Sequence, residues 1–375
     1  MPPIDLAWLD RAFALAERGR DSVSPNPMVG AVVVSRGRVV GEAFHRKAGE
    51  EHAEILALKK AGPAARGADL YLTLEPCAHQ GRTPPCAPAV AASGVRRVIV
   101  AASDPNPLVA GRGLSALRRA RVDVRRAPSK WRSRAEAQNE KFRKWIVSGR
   151  PFVLAKWAAT LDGKIASASG ESRWITGPAA RLRALRLREE YDAVLVGAGT
   201  VAADDPRLTR RLSPGRSRTH WRIVLDGKLR VPVKARVFSG PGRKLVVTAV
   251  RLPHPKARRL EARGVEVWSL PGRSRGTVDL RRLLSELGRR EVASVMVEGG
   301  AGTLASFFEA ALVDRVAVFT APRVLGGRAA TSAVGGDGFS LSGAVSLEDV
   351  ECERVGEDFL WTARVRRRGR GRISG

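Results

Sequence analysis

The chain has 375 residues, of which 44% are hydrophobic, and carries a formal net charge of +29 at pH 7. This length favours two domains over one, and no apolar run approaches the roughly 20 residues of a membrane-spanning helix, which argues against a membrane protein. Three cysteines are too few for a disulfide scaffold, so we expect a soluble protein from a reducing compartment.

The positive charge would attract polyanions through a long-range field. However, the basic residues are spread along the chain and aromatic residues make up only 5% of it, so no base-stacking surface stands out. We therefore do not expect a nucleic-acid partner. The first residues lack the basic start and apolar stretch of a secretory signal, which indicates a cytoplasmic protein.

In the first part of the chain, predicted strands alternate with predicted helices. An amphipathic pattern predicts a helix over residues 6–18, and two β-branched runs around Arg36-Gly37-Arg38 predict a hairpin. A helix over residues 53–60 stops at Gly62-Pro63. The runs "DLYLTLE", "APAVAASG", "RVIVAA" and "GLSALRRA" then predict strand, helix, strand and helix. This alternation predicts a layered α/β sheet.

A second α/β domain is predicted after the polar, helical stretch "SRAEAQNEKFRKWIVSGRP", with domains at 1–148 and 149–365. Helices are predicted at "AARLRALRLREE" and "TLASFFEAALV". Strands are predicted at "FVLAKWAAT", "DAVLVG", "RIVLDG", "KLVVTAV", "VEVWSL", "SVMVEGG", "DRVAVFTAP" and "FLWTARV". Residues 366–375 form a basic tail that we expect to be disordered.

One imidazole and two thiols suggest a metal site in the first domain. His52, Cys77 and Cys86 form a donor set that suits tetrahedral zinc and leaves one position open, as catalytic zinc requires. Glu54 starts the same helix as His52, so it can act as general acid and base when zinc-activated water attacks an aminopyrimidine or purine. Taken alone, His52 would be interpreted as a surface histidine, and each cysteine as a buried thiol. Cys352 stands apart, and we treat it as structural or incidental.

The spacing of the two cysteines bears on the substrate. Nucleic-acid deaminases of this class have Pro-Cys-x-x-Cys, whereas eight residues, "AHQGRTPP", separate Cys77 from Cys86 here. This loop carries donors suited to a small phosphorylated substrate. Two alternatives remain: a deaminase of tRNA or single-stranded DNA with a basic second domain, and a non-enzymatic zinc-stabilised nucleic-acid-binding protein. Glu54 argues against the last, because a structural metal site needs no proton carrier.

Two glycine-rich turns suggest a nucleotide site in the second domain. "SVMVEGGAGTLASFF" reads as strand, turn and helix, where backbone amides and the helix dipole can hold phosphates. "VLVGAGTVA" matches a dinucleotide fingerprint, but Asp204-Asp205-Pro206 ends the following helix too early for that motif. We therefore interpret this turn as a cofactor contact of another kind.

Several motifs resemble the bacterial bifunctional pyrimidine deaminase/reductase family of riboflavin biosynthesis, the RibD family. In the first domain these are "PNPMVGAVVV", "GEAFHRKAGEEHAE", "TLEPCAHQGRTPPC" and "DPNPLVAGRG". In the second they are "KWAATLDGKIASASGESRWITG", "VGAGTVAADDPRLTRR" and "VEGGAGTLASFF". The resemblance covers nearly the whole chain except the tail. It implies a cytidine-deaminase-like α/β/α layered domain followed by an α/β domain similar to dihydrofolate reductase.

The resemblance also implies the activity and the site residues. The activity is zinc-dependent deamination of 2,5-diamino-6-ribosylamino-4(3H)-pyrimidinone 5′-phosphate, then reduction of its ribosyl group to ribityl by NADPH, and we expect a homo-oligomer. The residues implied at the nicotinamide nucleotide are Ala158, Trp174, Thr200, Asp204, Leu208, Gly300, Ala301, Gly302, Thr303, Leu304, Ala305 and Ser306. The residues implied at the substrates are Asn26, His45 and His79 in the first domain and Lys156, Ser172, Arg188, Arg211 and Glu298 in the second.

Overall fold

The computed structural model describes residues 5–107, 109–209 and 220–366. The chain forms two compact units that divide between Arg150 and Pro151. Across the described ranges, none of the helices combines the length and the apolar composition needed to cross a membrane. Of the predicted tail, only Arg366 is described, and its backbone amide donates to the Ser346 carbonyl at 2.9 Å.

The first unit is built on a five-stranded sheet in the order β2-β1-β3-β4-β5. Strand β1 is antiparallel to β2 and to β3, whereas β3, β4 and β5 are parallel. The predicted hairpin is the β1–β2 pair. The strands are β1 (Gly30–Ser35), β2 (Arg38–Phe44), β3 (Asp69–Leu72), β4 (Arg97–Val100) and β5 (Asp123–Arg126).

Helices cover both faces of this sheet. The alternation of side chains along β1 sends Val32 and Val34 to one face, which α1 and α5 cover, and Ala31 and Val33 to the other, which α2, α3 and α4 cover. The predicted α/β/α layering is therefore confirmed. The described helices are α1 (Ala7–Glu17), α2 (Ala53–Ala61), α3 (Cys86–Ala92), α4 (Arg112–Arg119), α5 (Ser129–Gln138) and α6 (Glu140–Ser148).

The stretch predicted to be helical before the domain boundary forms two helices, α5 and α6, with a break at Asn139 between them. The Asn139 side chain is buried and bonds both backbone groups of Met28: its Oδ1 accepts from the Met28 amide at 2.7 Å and its Nδ2 donates to the Met28 carbonyl at 3.0 Å. This contact ties the two helices to the "PNPM" loop, which carries Asn26.

The second unit contains a nine-stranded sheet in the order β11-β10-β9-β8-β12-β6-β13-β16-β15. The strands from β11 to β13 are parallel, and β16 and β15 add an antiparallel edge. A short ladder joins β7 (Lys164–Ala166) and β14 (Thr331–Ser332). The sheet strands are β6 (Phe152–Thr160), β8 (Ala193–Gly197), β9 (Trp221–Leu225), β10 (Arg243–Thr248), β11 (Glu266–Ser269), β12 (Ser294–Glu298), β13 (Arg315–Ala321), β15 (Leu347–Val355) and β16 (Asp358–Val365).

This sheet also has a hydrophobic core on each face. Phe152 and Leu154 of β6 pack on one side with residues of α7 and α9, and Val153 and Ala155 pack on the other with α10 and α11. The predicted second α/β domain is confirmed. Its described helices are α7 (Pro178–Glu189), α8 (Ala198–Asp204), α9 (Pro255–Glu261), α10 (Leu280–Arg289) and α11 (Ala301–Glu309).

A buried arginine fixes two loops of the second unit. Arg222 of β9 is only 1% exposed. Its guanidinium donates to the carbonyls of Ser239 at 2.6 Å, Gly240 at 3.2 Å, Pro241 at 2.8 Å and Arg207 at 3.3 Å. Backbone oxygens thus satisfy its donors, as a buried polar group requires. The contact anchors the segment after α8 to the sheet.

Candidate active sites

Three possible metal ligands of the first unit come from three different elements. His52 immediately precedes α2, Cys77 follows β3, and Cys86 is the first residue of α3. Their ligand atoms all lie within 4.8 Å of one another. The His52 Nδ1 is 3.2 Å from the Cys86 Sγ and 3.7 Å from the Cys77 Sγ. Ligand atoms of tetrahedral zinc are about 3.6 Å apart, so this donor set fits zinc.

The protonation of the two thiols also favours a cation. Hydrogen bonding with the Cys86 thiol lowers the pKa of Cys77 to about 4 against the effect of burial, and His52 lowers it further. The same hydrogen bond, together with burial, raises the pKa of Cys86. Without a metal ion the Cys77 and Cys86 thiols share one proton, whereas a divalent ion binds both of them as thiolates.

Glu54 lies in the first turn of α2 and is only 3% exposed. Burial raises its pKa, and the charge of His52 opposes this effect only in part. A carboxyl group whose pKa is raised toward neutrality can both accept and donate a proton. Because Glu54 is outside the three-ligand cluster, it is available as a proton carrier beside the metal ligands.

His45 and Asn26 lie together next to His52. The His45 ring is 5.0 Å from that of His52, edge to face. Burial lowers the pKa of His45 to about 4, helped by the charge of His52, so the ring is neutral at pH 7. Its Nδ1 lies 3.2 Å from the Glu51 carbonyl and its Nε2 lies 3.0 Å from the Asn26 amide nitrogen. These partners fix the tautomer with the proton on Nδ1.

The loop between the two cysteines reaches the same site. The Thr83 Oγ1 is 3.4 Å from the His52 Nε2. The Nδ1 of His79 is buried and has no hydrogen-bond partner among the residues that the structure describes. A buried polar atom without a partner is costly, so His79 is available for a ligand.

Sequence reasoning missed two acidic residues that support this site. The Glu75 carboxylate, two residues before Cys77, accepts from the amides of Asp104 at 3.3 Å, Gly111 at 3.0 Å and Leu114 at 3.2 Å. Burial raises the pKa of Asp104 to about 6, although a hydrogen bond from the Asn106 amide opposes it. No local pattern reveals these roles, because the partners are far apart in the chain.

Replacing one thiol should remove the metal. We expect Cys77→Ala to lose bound zinc, because an imidazole and a single thiolate leave too few ligands for a stable site. The matched control is Cys352→Ala, since Cys352 is exposed and lies in the other unit. Elemental analysis of purified protein measures the effect: one zinc per chain in the control and much less in the variant. Equal zinc contents would contradict the ligand assignment.

The second unit has a large cleft at the carboxyl ends of its parallel strands, with a volume of about 1310 Å³. Ligands of open α/β sheets bind at this edge. The residues implied by the family resemblance that line the cleft are Lys156, Ala158, Ser172, Trp174, Arg188, Thr200, Asp204, Leu208, Glu298, Gly300, Ala301, Gly302 and Thr303. The structure thus brings both the nucleotide and the substrate candidates to one cavity.

The two glycine turns of the cleft touch each other. A Cβ on Gly197 would lie 2.3 Å from the Thr303 Oγ1, and one on Gly300 would lie 2.7 Å from the Thr200 Oγ1. These glycines are needed for close packing. A Cβ on Gly302 would instead meet nothing within 4 Å, because that backbone faces open space in the cleft. The surface can therefore approach a dinucleotide closely, which fits a nicotinamide cofactor.

Charged groups lie buried at one end of the cleft. Arg188 donates to both carboxylate oxygens of Glu298, at 2.7 and 2.8 Å. Burial would raise the pKa of Glu298, but the charges of Arg188 and Lys156 outweigh it and lower the pKa to about 2. Burial lowers the pKa of Lys156, although Glu298 opposes this effect. The Arg188 guanidinium is thus engaged by Glu298 and is not free to bind a phosphate.

Three of the candidates within the described residues do not line the cleft. Leu304 and Ala305 are buried in α11, and Leu304 belongs to the core beneath the sheet. The Ser306 hydroxyl donates to the Gly302 carbonyl at 3.0 Å within the same helix. Arg211 lies outside the described residues.

Comparisons with known proteins cover both units. The model of the "RibD C-terminal domain" matches residues 151–361, and that of the "Cytidine and deoxycytidylate deaminase zinc-binding region" matches residues 3–102. RibD of Bacillus amyloliquefaciens is 42% identical over 95% of each chain. RibD of Escherichia coli is 41% identical over 86% of this chain and 89% of its own.

Solved structures show the same similarity. Acinetobacter baumannii RibD superposes with a TM-score of 0.87 at 35% identity, covering 96% of this chain and 98% of that one. A Thermotoga maritima protein titled diaminohydroxyphosphoribosylaminopyrimidine deaminase/5-amino-6-(5-phosphoribosylamino)uracil reductase gives a TM-score of 0.84 at 35% identity with the same coverage. Two family models, relatives at about 40% identity and these structures agree with the two sites described above: the chain belongs to the RibD family of bifunctional deaminase/reductases.

Proposed function

We propose that residues 1–148 deaminate 2,5-diamino-6-ribosylamino-4(3H)-pyrimidinone 5′-phosphate and that residues 149–365 reduce the ribosyl group of the product with NADPH. The observation that carries this proposal is the pairing of two unlike sites in one chain. One is a His-Cys-Cys donor set beside a buried glutamate, and the other is a glycine-lined cleft at parallel strand ends.

In the deaminase site, His52, Cys77 and Cys86 would hold zinc, which supplies Lewis acidity when bound. Glu54 would take a proton from the attacking water and give it to the departing amino group, so that a C–O bond replaces a C–N bond and ammonia leaves. The raised pKa of Glu54 supports this role, because the residue must bind and release a proton in one turnover.

Substrate orientation would come from the groups around the ligands. Neutral His45 and the Asn26 amide, held together at 3.0 Å, present fixed donors and acceptors to a pyrimidine. His79 offers a polar atom that has no partner among the described residues. Fixed groups of this kind lower the barrier by placing the reacting carbon correctly.

In the reductase site, NADPH supplies the hydride, and the chain's residues bind and orient the reactants. Gly300, Gly302 and Thr303 would cradle the cofactor backbone, and Asp204 would border it. The Asp204 carboxylate lies 3.4 Å from the hydroxyl of Ser172, which would face the substrate. Glu298 would hold Arg188 in place through both of its oxygens, and Lys156 adds a buried positive charge beside them.

One assay separates the two reactions. The full-length protein receives the diamino substrate with NADPH, and ammonia release and NADPH absorbance are followed independently. We expect ammonia and oxidised NADPH in equal amounts, with reduction dependent on deamination. Release of ammonia from tRNA or single-stranded DNA, with no reaction on the pyrimidine phosphate, would favour the alternative of a nucleic-acid deaminase.

The family membership supports a small phosphorylated pyrimidine as the partner. We further propose a homo-oligomer in the cytoplasm without a nucleic-acid partner. Light scattering of the purified protein measures the first point, and a monomer at working concentration would contradict it.

A further inference from the structure

We infer that Thr83, in the loop between Cys77 and Cys86, is a positioning residue of the first unit. Its hydroxyl accepts the Nε2 proton of His52 and so fixes the ring tautomer that leaves Nδ1 free to bind zinc. This role rests on the proposed deaminase function and deepens its metal site. Thr83 touches no reacting atom in this role, because it acts through His52.

The two ring nitrogens of His52 face different partners. Nδ1 lies 3.2 Å from the Cys86 Sγ and 3.7 Å from the Cys77 Sγ, whereas Nε2 lies 3.4 Å from the Thr83 Oγ1. A metal binds a ring nitrogen that carries no proton, so a ring that offers Nδ1 to the thiol cluster keeps its proton on Nε2. The Thr83 hydroxyl oxygen is placed to accept that proton.

Other polar groups beside His52 are directed at the neighbouring histidine. The Glu51 carbonyl lies 3.2 Å from the His45 Nδ1, and the Asn26 amide nitrogen lies 3.0 Å from the His45 Nε2. These groups orient His45 and not His52. A histidine that binds a metal almost always gives its other ring N–H to an oxygen acceptor, which orients the ring and makes it a stronger ligand. At His52 the Thr83 hydroxyl meets this need.

The chain between Thr83 and the ligand Cys86 is stiff. It consists of Pro84 and Pro85, and Pro85 is extended, with φ −63° and ψ 137°, directly before α3. Each proline ring fixes its own φ, and the residue before a proline is restricted to extended conformations. Few backbone rotations can therefore move the Thr83 hydroxyl relative to Cys86, so binding of the thiolate also places the hydroxyl.

Backbone hydrogen bonds close the loop at both ends. The Ala87 amide donates to the Cys77 carbonyl at 3.0 Å, and the Cys86 amide donates to the Cys77 Sγ at 3.3 Å. Within the loop, the Gly81 amide donates to the Thr83 carbonyl at 3.3 Å. A partner that is already held in place loses less entropy when it forms its hydrogen bond.

Zinc affinity of the full-length protein, measured by competition with a chromophoric chelator, tests the inference without catalysis. Thr83→Val keeps the shape of this half-buried side chain but removes the acceptor. We expect its zinc dissociation constant to rise about 10- to 100-fold, the usual effect of losing such a partner. Thr83→Ser keeps the hydroxyl and should retain the natural affinity. The matched control is Gln80→Ala, an exposed residue of the same loop, which should also bind zinc as the natural protein does.

Nuclear magnetic resonance of zinc-loaded protein with ¹⁵N-labelled histidine tests the hydrogen bond itself. The chain has five histidines, so few ring signals must be resolved. We expect the His52 ring to carry its proton on Nε2 and to exchange it slowly with water. The exchange should be faster in Thr83→Val and unchanged in Thr83→Ser. A threonine that only shaped the loop would not alter this exchange.

Three outcomes would overturn the inference. Thr83→Val binds zinc as tightly as the natural protein and exchanges the ring proton as slowly; Thr83→Ser or Gln80→Ala weakens zinc binding as much as Thr83→Val does, which indicates a general effect on the loop; or the His52 ring carries its proton on Nδ1 when zinc is bound. In each of these cases the natural protein still binds zinc, so the deaminase function stands. Failure of the natural protein to bind zinc would instead overturn both.

Discussion

Replacing Glu54 with Gln should lower ammonia release by about a hundredfold or more and leave reduction of supplied deaminated substrate unchanged. A positioned general acid and base contributes about 10²- to 10⁴-fold, and Gln keeps the shape of the side chain but cannot carry the proton. Glu54 is buried in the first turn of α2, and burial raises its pKa. Ammonia assay and NADPH absorbance, measured on the same preparation, show the two effects separately.

The control for this variant is Glu50→Gln. Glu50 is exposed and precedes the same helix, so it matches the chemical change without altering a buried group. Deaminase activity and zinc content should both be unchanged in the control, and Glu54→Gln should also retain its zinc. Substantial ammonia release by Glu54→Gln would show that another residue carries the proton.

Replacing Glu298 with Gln should abolish most reductase activity and destabilise the second unit by about 3 kcal/mol, since breaking a buried ion pair leaves an uncompensated charge. Arg188 and Lys156 are both positive, and they would then repel each other without the carboxylate charge that offsets them. Urea unfolding measures the stability, and NADPH oxidation with deaminated substrate measures the activity. Ammonia release should be unchanged.

Two comparisons isolate the buried pair. Glu266→Gln removes an exposed partner of Arg243, at 2.7 Å, and should cost less than about 1 kcal/mol. Adding Arg188→Met to Glu298→Gln should recover part of the lost stability but none of the activity. The low pKa of Glu298 means that its stabilisation is present above the ordinary value of 4.5 and is lost as the pH falls toward 2. Equal stability of the natural protein and Glu298→Gln at neutral pH would contradict the argued role.

The fold was largely predictable because buried strands are short apolar runs between helices. Strand β15 was not predicted because seven of its nine residues are exposed and four are acidic, so no alternation marks it; it pairs with β16 at the edge of the sheet. Helix α10 also went unpredicted, although its leucines at positions 280, 283, 284 and 287 show helical spacing. The break at Asn139 depends on a hydrogen bond to Met28, which is distant in the chain.

The deaminase site was more predictable than the reductase cleft. Its ligand types and the adjacent glutamate are chemically unusual together, so residue identity alone indicated His52, Cys77, Cys86 and Glu54. In the reductase cleft, glycines and arginines are common in the chain, and only the family resemblance selected among them.

Metal removal tests the central claim, two independent active sites in one chain, most directly. The full-length protein is treated with a chelator, and both activities are measured before and after zinc is returned. We expect ammonia release to disappear and to return with zinc, while NADPH oxidation with supplied deaminated substrate stays unchanged throughout. Ammonia release that persists without metal, or joint loss of both activities in protein that remains folded, would contradict the account.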